Sequence, residues 1–425
     1  MHSLRRAFSR AIRWSEQYIK TDMRYVASGV WLSFVGQTAV SLSGLALSLV
    51  LSRYLTQNAY GDYKYILSLV GLLSTITLTG LGTAVFQSTA RGYDGALREG
   101  FWLNLRWSVL AMLGAAVLAI YYFIIGNNML GIGVLIGGAC SPLLVSANLF
   151  TSFLSGKKAF GKQTLYVAII GTPITAAVLA LTALCFPNPI AMVVAYFASN
   201  TLLCLAFYYR TRALYRPDDT KTDPEMRTYS KHLSAMGILG GIAGNIDQVL
   251  LFHYVGAPAL AVYNFATGIL DQTKGPLKML DSMTQARFAN RTTSDIASNM
   301  RTKMLWLFFS SLTAALCYII AAPYIYEILF PNYLAAIPYS RLYALSLLSL
   351  AAAPASSYLI AKKRVSEQYI TTLVGSAIQI LCMAIGVIWW GLWGLIIARI
   401  AIRLLGGYTT YALYVISAKH HVGVD

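Results

Sequence analysis

Residues 263–285 read YNFATGILDQTKGPLKMLDSMTQ, a stretch set within a run otherwise apolar enough to be a membrane helix. Charge in such a run is costly, so its placement carries information. At about 100° per residue, Asn264, Thr267, Asp271, Lys274, Lys278, Asp281 and Gln285 share one arc, with Ile269, Pro276, Leu280 and Met283 opposite. A polar stripe backed by an apolar one predicts a helix that faces a wet cavity while its back touches lipid or other helices. Asp271–Lys274, Asp271–Lys278 and Lys274–Asp281 are spaced to pair along that helix, and the two lysines leave cationic capacity at the cavity. Pro276 has no N–H to donate, which predicts a kinked or loosened helix in mid-stripe.

The flanking sequence sets the class. Of the 425 residues, 57% are apolar and only 12% are charged, where soluble domains average about 25% charged. Apolar runs of about 20 residues, long enough for a hydrocarbon core of about 30 Å, fall near 26–51, 63–84, 107–125, 130–153, 164–185, 190–209, 233–255, 259–285, 304–321, 340–360, 369–388 and 393–416. These twelve spans make the chain an all-α, polytopic integral membrane protein.

A net charge of +17 suggests nucleic acid in a soluble protein, but its distribution here excludes that partner. Of 33 Lys and Arg, 26 lie in the first 25 residues, in alternate connections and in the tail. Arg53 and Lys64 are assigned to the opposite connections, and Lys274, Lys278, Arg341, Arg399 and Arg403 to the spans. Such alternation is the positive-inside pattern, and it places both termini in the cytoplasm. The expected division is a cytoplasmic amphipathic segment at 1–25, a six-helix bundle at 26–209, a cytoplasmic linker at 210–231, a second six-helix bundle at 232–416 and a tail at 417–425. The N-terminal segment is basic and amphipathic, without an apolar signal core. Five cysteines are scattered with no CxxC and no histidine cluster, so neither disulfides nor a metal site are implied.

The two halves resemble one another at an offset of 200: Leu51 matches Leu251, Tyr54 matches Tyr254, Ala59 matches Ala259 and Tyr63 matches Tyr263. Internal repeats of this kind occur in transporters, whose substrate site lies between the repeats. Both halves start from the same side, so this repeat is parallel.

The intramembrane charges define the site expected from sequence. Asp247, roughly 14 Å from the outer end of span seven at 1.5 Å per residue, reads as an ion-coupling residue or as a partner for a basic group. Arg399 and Arg403 lie one turn apart near the middle of span twelve, where guanidinium forks bind phosphate or bridge to Asp247 or Asp271. Lys274, Asp271 and Asp281 belong to the stripe, as does Lys278, which also lies within snorkelling reach of the cytoplasmic interface. Arg53 and Arg341 lie near outer helix ends, where snorkelling is the simpler reading. Asp247 and Asp271 are the carboxylates placed for coupling to an H⁺ or Na⁺ gradient or to the membrane potential, and no cofactor is expected.

Four stretches in order carry a family resemblance. Residues 51–90, LSRYLTQNAYGDYKYILSLVGLLSTITLTGLGTAVFQSTA, resemble the first helix pair of the polysaccharide-unit (O-antigen type, Wzx-like) flippases, a branch of the MATE-related exporter superfamily. Residues 245–269, NIDQVLLFHYVGAPALAVYNFATGI, resemble their seventh and eighth helices; 329–348, LFPNYLAAIPYSRLYALSLL, their ninth-to-tenth connection; and 391–408, GLWGLIIARIAIRLLGGY, their last helix. One departure is Pro331-Asn332-Tyr333, which lacks the glycine of the family's Gly-x-x-Tyr. The resemblance implies a V-shaped pair of bundles in the bacterial inner membrane. It also implies an undecaprenyl-diphosphate-linked oligosaccharide as substrate, moved from the cytoplasmic to the periplasmic leaflet, and a polymerase of the same pathway as partner. On that basis Arg399, Arg403 and Lys274 are expected to form the C-half share of a diphosphate pocket, with Pro276 and Gly406-Gly407 as flexible points.

Two further readings stand beside it. A MATE-like exporter of small cationic molecules driven by Na⁺ or H⁺ requires acidic cavity walls. A polymerase-like enzyme requires large outer loops, whereas the longest here is expected at about 320–340. No Walker, GxSxG or HExxH motif is present, which favours a carrier over an enzyme. The topology is directly testable. A reporter active only in the periplasm should be silent when fused after Arg216 and active after Asn188; the reverse pattern would overturn the twelve-span order.

Overall fold

A computed structural model describes residues 23–289, 293–361 and 365–421. It is all helical, with no strand among the described residues. We number the helices α1 (Met23–Tyr54), α2 (Gln57–Ser74), α3 (Leu81–Ala90), α4 (Ala96–Ile124), α5 (Asn128–Ala147), α6 (Leu149–Gly156), α7 (Phe160–Thr164), α8 (Thr172–Cys185) and α9 (Pro189–Tyr215). The second half comprises α10 (Met226–Ala243), α11 (Ile246–Tyr254), α12 (Ala257–Ala289), α13 (Thr293–Leu329), α14 (Ile337–Tyr343), α15 (Ala353–Ala361) and α16 (Val365–His421).

Nine helical stretches among the described residues are long and apolar enough to cross a membrane. The last of them, within α16, is two spans joined at Gly391, whose φ of 56° is a left-handed conformation suited to glycine. The second and eighth spans fall outside this group for two physical reasons. Span two is split by an irregular turn between α2 and α3, and α12 carries the polar stripe. With these the count is twelve, as the hydropathy implies.

Several boundaries move. The span expected at 304–321 is part of α13, which runs on to Leu329, so the expected outer loop at 320–340 shrinks to Phe330. Every connection on that face has one to three residues, while the opposite face bears the linker. Tyr54 and Tyr254 end α1 and α11 and are equally exposed, at 52% and 53%. Trp389 and Trp390 are exposed beside Gly391, forming with them an aromatic belt at this face. Arg53 is in the last turn of α1 and exposed, as snorkelling requires. Lys64 is corrected: α2 starts at Gln57, so this lysine lies about 10 Å inside the helix and is not in a connection.

In hydrocarbon each backbone carbonyl needs a partner, and a proline removes one. Pro142, Pro276 and Pro323 strip the N–H from the carbonyls of Gly138, Gln272 and Ile319. Side chains refill all three. Ser141 Oγ lies 3.4 Å from the Gly138 oxygen, Ser41 Oγ donates to Gln272 at 3.1 Å, and Arg341 Nε donates to Ile319 at 3.0 Å. Arg341 is therefore more than the snorkelling end group expected; it repairs the break that Pro323 makes in α13. The Ser41 bond joins α1 to α12, so Pro276 creates a tie between the halves. α12 itself runs as one helix past that position, and the Gly406-Gly407 pair lies within helical α16, the break falling at Gly391 instead.

The halves meet along span two and span seven from face to face. At the short-loop face, a Cβ on Gly61 would overlap the Ala257 carbonyl, so only glycine permits this approach of α2 to α12. Tyr65 stacks on Phe252 at 3.7 Å, and Tyr60 lies 4.9 Å from Phe265. Gln57 and Asn332 donate hydrogen bonds to the Asn332 and Ser52 carbonyls, respectively, at 2.9 Å each. Toward the linker face, Ser234 Oγ accepts from Gly80 N at 2.9 Å and Gln87 donates to Tyr229 at 3.0 Å. The linker itself is pinned where Arg91 and Ser88 both reach buried Asp223, at 2.8 and 2.6 Å.

The proline repair predicts a coupled pair. Arg341→Met should lower stability by about 1–2 kcal/mol by stranding the Ile319 carbonyl, read as a lower unfolding midpoint in detergent. In a Pro323→Ala background, where the backbone amide restored at that position can take the carbonyl, the same change should cost little; equal losses in both backgrounds refute the repair.

Candidate functional site

Span seven is broken at Gly244 and Asn245, between α10 and α11. This places Asp247 in the first turn of α11, where unspent backbone N–H groups and the helix dipole favour a carboxylate. Its Oδ1 accepts from the Gln248 amide at 2.9 Å. Its Oδ2 accepts from the Tyr263 hydroxyl at 2.5 Å and from Arg399 Nη1 at 2.8 Å, and Arg399 Nη1 also contacts the Tyr263 hydroxyl. The other arm of Arg399, Nη2, reaches Asp271 Oδ2 at 3.2 Å. Asp271 Oδ1 in turn accepts from Tyr343 at 2.9 Å and from Arg403 Nη2 at 3.2 Å, while Arg403 Nη1 lies 3.4 Å from Ser346 Oγ. The Arg399 guanidinium sits 5.4 and 5.6 Å from the Tyr263 and Tyr343 rings, and that of Arg403 lies 5.1 Å from Tyr343. Cation–π attraction adds to the charge pairing there.

One chain of polar groups thus links spans seven, eight, ten and twelve. It opens progressively: the side chain of Asp247 is 6% exposed, Arg399 20%, Arg403 27% and Asp271 31%. Two cations face two anions, so the described part is balanced in charge. Of the two roles open to the arginines from sequence, the bridging one is present in the structure, and to both aspartates at once. Asp247 lies about 10 Å from the end of α11, shallower than expected because that helix ends at Tyr254. The upper stripe is less wet than its periodicity suggests. Thr267 is buried and donates to the Tyr263 carbonyl, and Asn264 bonds back to the Leu260 carbonyl. The side chains of Lys274, Lys278, Asp281 and Gln285 lie outside the described residues.

Sequence reading missed Tyr263, Tyr343 and Ser346. Tyr263 was visible as a repeat marker, but nothing in one dimension aims its hydroxyl at Asp247. Lys64 was missed as an intramembrane charge. Its Nζ lies 5.6 Å from the Tyr60 ring, it pairs with no carboxylate among the described residues, and it stands at the seam between the halves.

A family model described as polysaccharide biosynthesis protein matches residues 50–286, more than half of the chain. The chain belongs to this polysaccharide biosynthesis family. Its family match runs from the end of α1 to the end of the stripe and so includes Asp247, Tyr263 and Asp271. No curated protein matches it in sequence. In fold, this family member is similar to an inward-facing MATE family multidrug resistance transporter of the MOP superfamily, with TM-score 0.68, 14% identity and coverage of 91% of this chain and 98% of that one. It is similar to an outward-facing one with TM-score 0.64 at 14% identity over 93% and 96% of the two chains. A MOP superfamily transporter from Pyrococcus furiosus with a binding pocket of reversed polarity matches with TM-score 0.58 at 14% identity over 93% and 95%. The protein is a multi-pass helical membrane protein with the MATE/MOP transporter fold.

In this family member, Arg399→Met alone should cost about 3–5 kcal/mol by stranding the buried Asp247 carboxylate, and Asp247→Leu alone less, because Arg399 keeps Asp271 at 3.2 Å. The double variant strands neither and should recover most of the folded yield and unfolding midpoint; additive losses show that the two are not coupled.

Proposed function

We propose that this protein moves a diphosphate-linked oligosaccharide on a polyprenyl carrier from the cytoplasmic to the periplasmic leaflet of the bacterial inner membrane, for assembly of a surface polysaccharide. Family membership and the transporter fold support the class. The observation that carries the substrate reading is the half-open end of the network. Arg403 has five N–H donors, and among the described residues it uses two, at 3.2 and 3.4 Å. A diphosphate cannot cross hydrocarbon alone, because unpaired buried charge costs several kcal/mol at least. Guanidinium groups replace its hydration with charge-assisted hydrogen bonds.

In this reading the diphosphate displaces Asp271 from Arg403, and the freed carboxylate stays with Arg399 and Tyr343. Lys274 adds charge from the stripe, and the sugars occupy the wet space between the bundles while the acyl tail stays in lipid. The bundles rock about the pocket in alternating access, with both termini cytoplasmic. A coupling H⁺ or Na⁺ acts on Asp271, whose side chain is 31% exposed, in preference to Asp247 at 6%. An exporter of cationic molecules needs unpaired acid in its walls, and both aspartates of this network are engaged by arginine. A polymerase of the same pathway is the natural partner for the delivered unit.

At equal protein levels, Arg403→Ala should lower surface glycan at least about tenfold, equivalent to roughly 1.4 kcal/mol of lost binding. Arg403→Lys, a point charge in place of a fork, should be intermediate. The lipid-linked unit should accumulate in both. Normal export by the Arg399→Ala, Arg403→Ala double variant rules the pocket out.

A further inference from the structure

α4 exposes one face along its length, at Trp102, Arg106, Leu110, Leu113, Val117 and Ile120. The spacing of three and four residues makes this a single stripe. Its apolar part faces lipid. Ile124 ends the helix at the short-loop face, and Arg106 lies about 27 Å from it at 1.5 Å per residue, against a hydrocarbon core of about 30 Å. Arg106 is therefore level with the boundary where headgroups begin, and Trp102 lies one turn further into that layer.

A cavity of about 320 Å³ opens at this level, walled by α4, the linker and α10. Arg98, Arg106 and Arg227 line it together with Glu99 and Asp219. Both carboxylates are already paired: Glu99 with Arg227 at 2.6 Å, and Asp219 with Arg98 at 3.0 Å and Arg212 at 2.7 Å. Arg106 pairs with no carboxylate among the described residues, so it is the cation in surplus. Glu99 Oε2 and Asp219 Oδ1 are buried without a hydrogen-bond partner among the described residues. A ligand that brings both a phosphate for Arg106 and hydroxyl donors for these carboxylates satisfies the whole wall.

We propose that this cavity holds the headgroup of an anionic phospholipid with a hydroxylated end, of the phosphatidylglycerol class, in the leaflet at the linker face. Its phosphodiester sits on Arg106 at the acyl boundary, Trp102 flanks the headgroup one turn further out, and the glycerol hydroxyls face Glu99 and Asp219. Because α4 belongs to the first half and α10 to the second, with Arg227–Glu99 already tying them, the bound lipid braces the linker-side junction of the two halves. The site is separate from the arginine–aspartate network and stands whether or not a glycan is the cargo.

The test is lipid retention by the purified full-length protein, measured by native mass spectrometry in detergent with added phosphatidylglycerol or phosphatidylcholine. Wild type should retain phosphatidylglycerol in preference. Arg106→Gln, a change at an exposed side chain with no ion-pair partner among the described residues, should weaken that retention roughly fivefold, the worth of one basic residue at an anionic surface. Arg301→Gln, an exposed basic residue on α13 of the other half, should leave it unchanged. Equal retention of the two lipids, no effect of Arg106→Gln, or equal loss in Arg301→Gln each overturns the site. Protection of the protein by inorganic pyrophosphate to the same extent as by phosphatidylglycerol overturns the lipid as its source.

Discussion

Arg399 holds Asp247 and Asp271 with its two arms, and the second half of the molecule is built around that bridge. A guanidinium in a low-dielectric interior needs opposite charge and hydrogen-bond acceptors, or its burial is prohibitive. Here α16 supplies the cation, α11 and α12 supply the anions, and α12 and the tenth span supply the phenols Tyr263 and Tyr343 that complete the set. The bridge therefore sets the mutual placement of four spans. It also creates a graded site, closed at Asp247 and open toward Arg403, where exchange of partners is easiest.

A second constraint acts on the backbone. Helices broken or interrupted by proline inside a membrane must find other donors for the stranded carbonyls. This chain meets the need locally at Ser141 and over long range at Ser41 and Arg341. The long-range cases convert defects into connections: one ties the halves together, and the other ties α13 to α14. The break in span seven serves differently, because the new helix start at α11 is itself the setting for Asp247.

The halves share their helix pattern but not their polarity. Ends of α1 and α11, and starts of α2 and α12, fall at matching positions 200 residues apart. Yet the position matching Asp247 is Leu47, and that matching Asp271 is Gly71. The arginine–aspartate network thus lies in the second half, while α2 of the first half carries Asp62 and Lys64. The repeat supplies two halves of like helix pattern, while the asymmetry leaves one of them to carry the polar network.

Hydropathy and the spacing of basic loops were enough to place twelve spans, because those signals depend only on local composition and the thickness of a bilayer. The charged residues inside spans were legible for the same reason, since each is expensive wherever it points. Partners were not legible. Asp247 and Arg399 are 152 residues apart, and Arg341 finds a carbonyl freed by a proline 18 residues before it, through a turn whose geometry no period encodes. The stripe at 263–285 was legible as a pattern, but whether Thr267 meets water or protein depends on what packs against it, and the answer is protein. Composition decided which residues had to be paired; only the crossing of distant helices decided with whom, because pairing energy falls with distance in space and not along the chain.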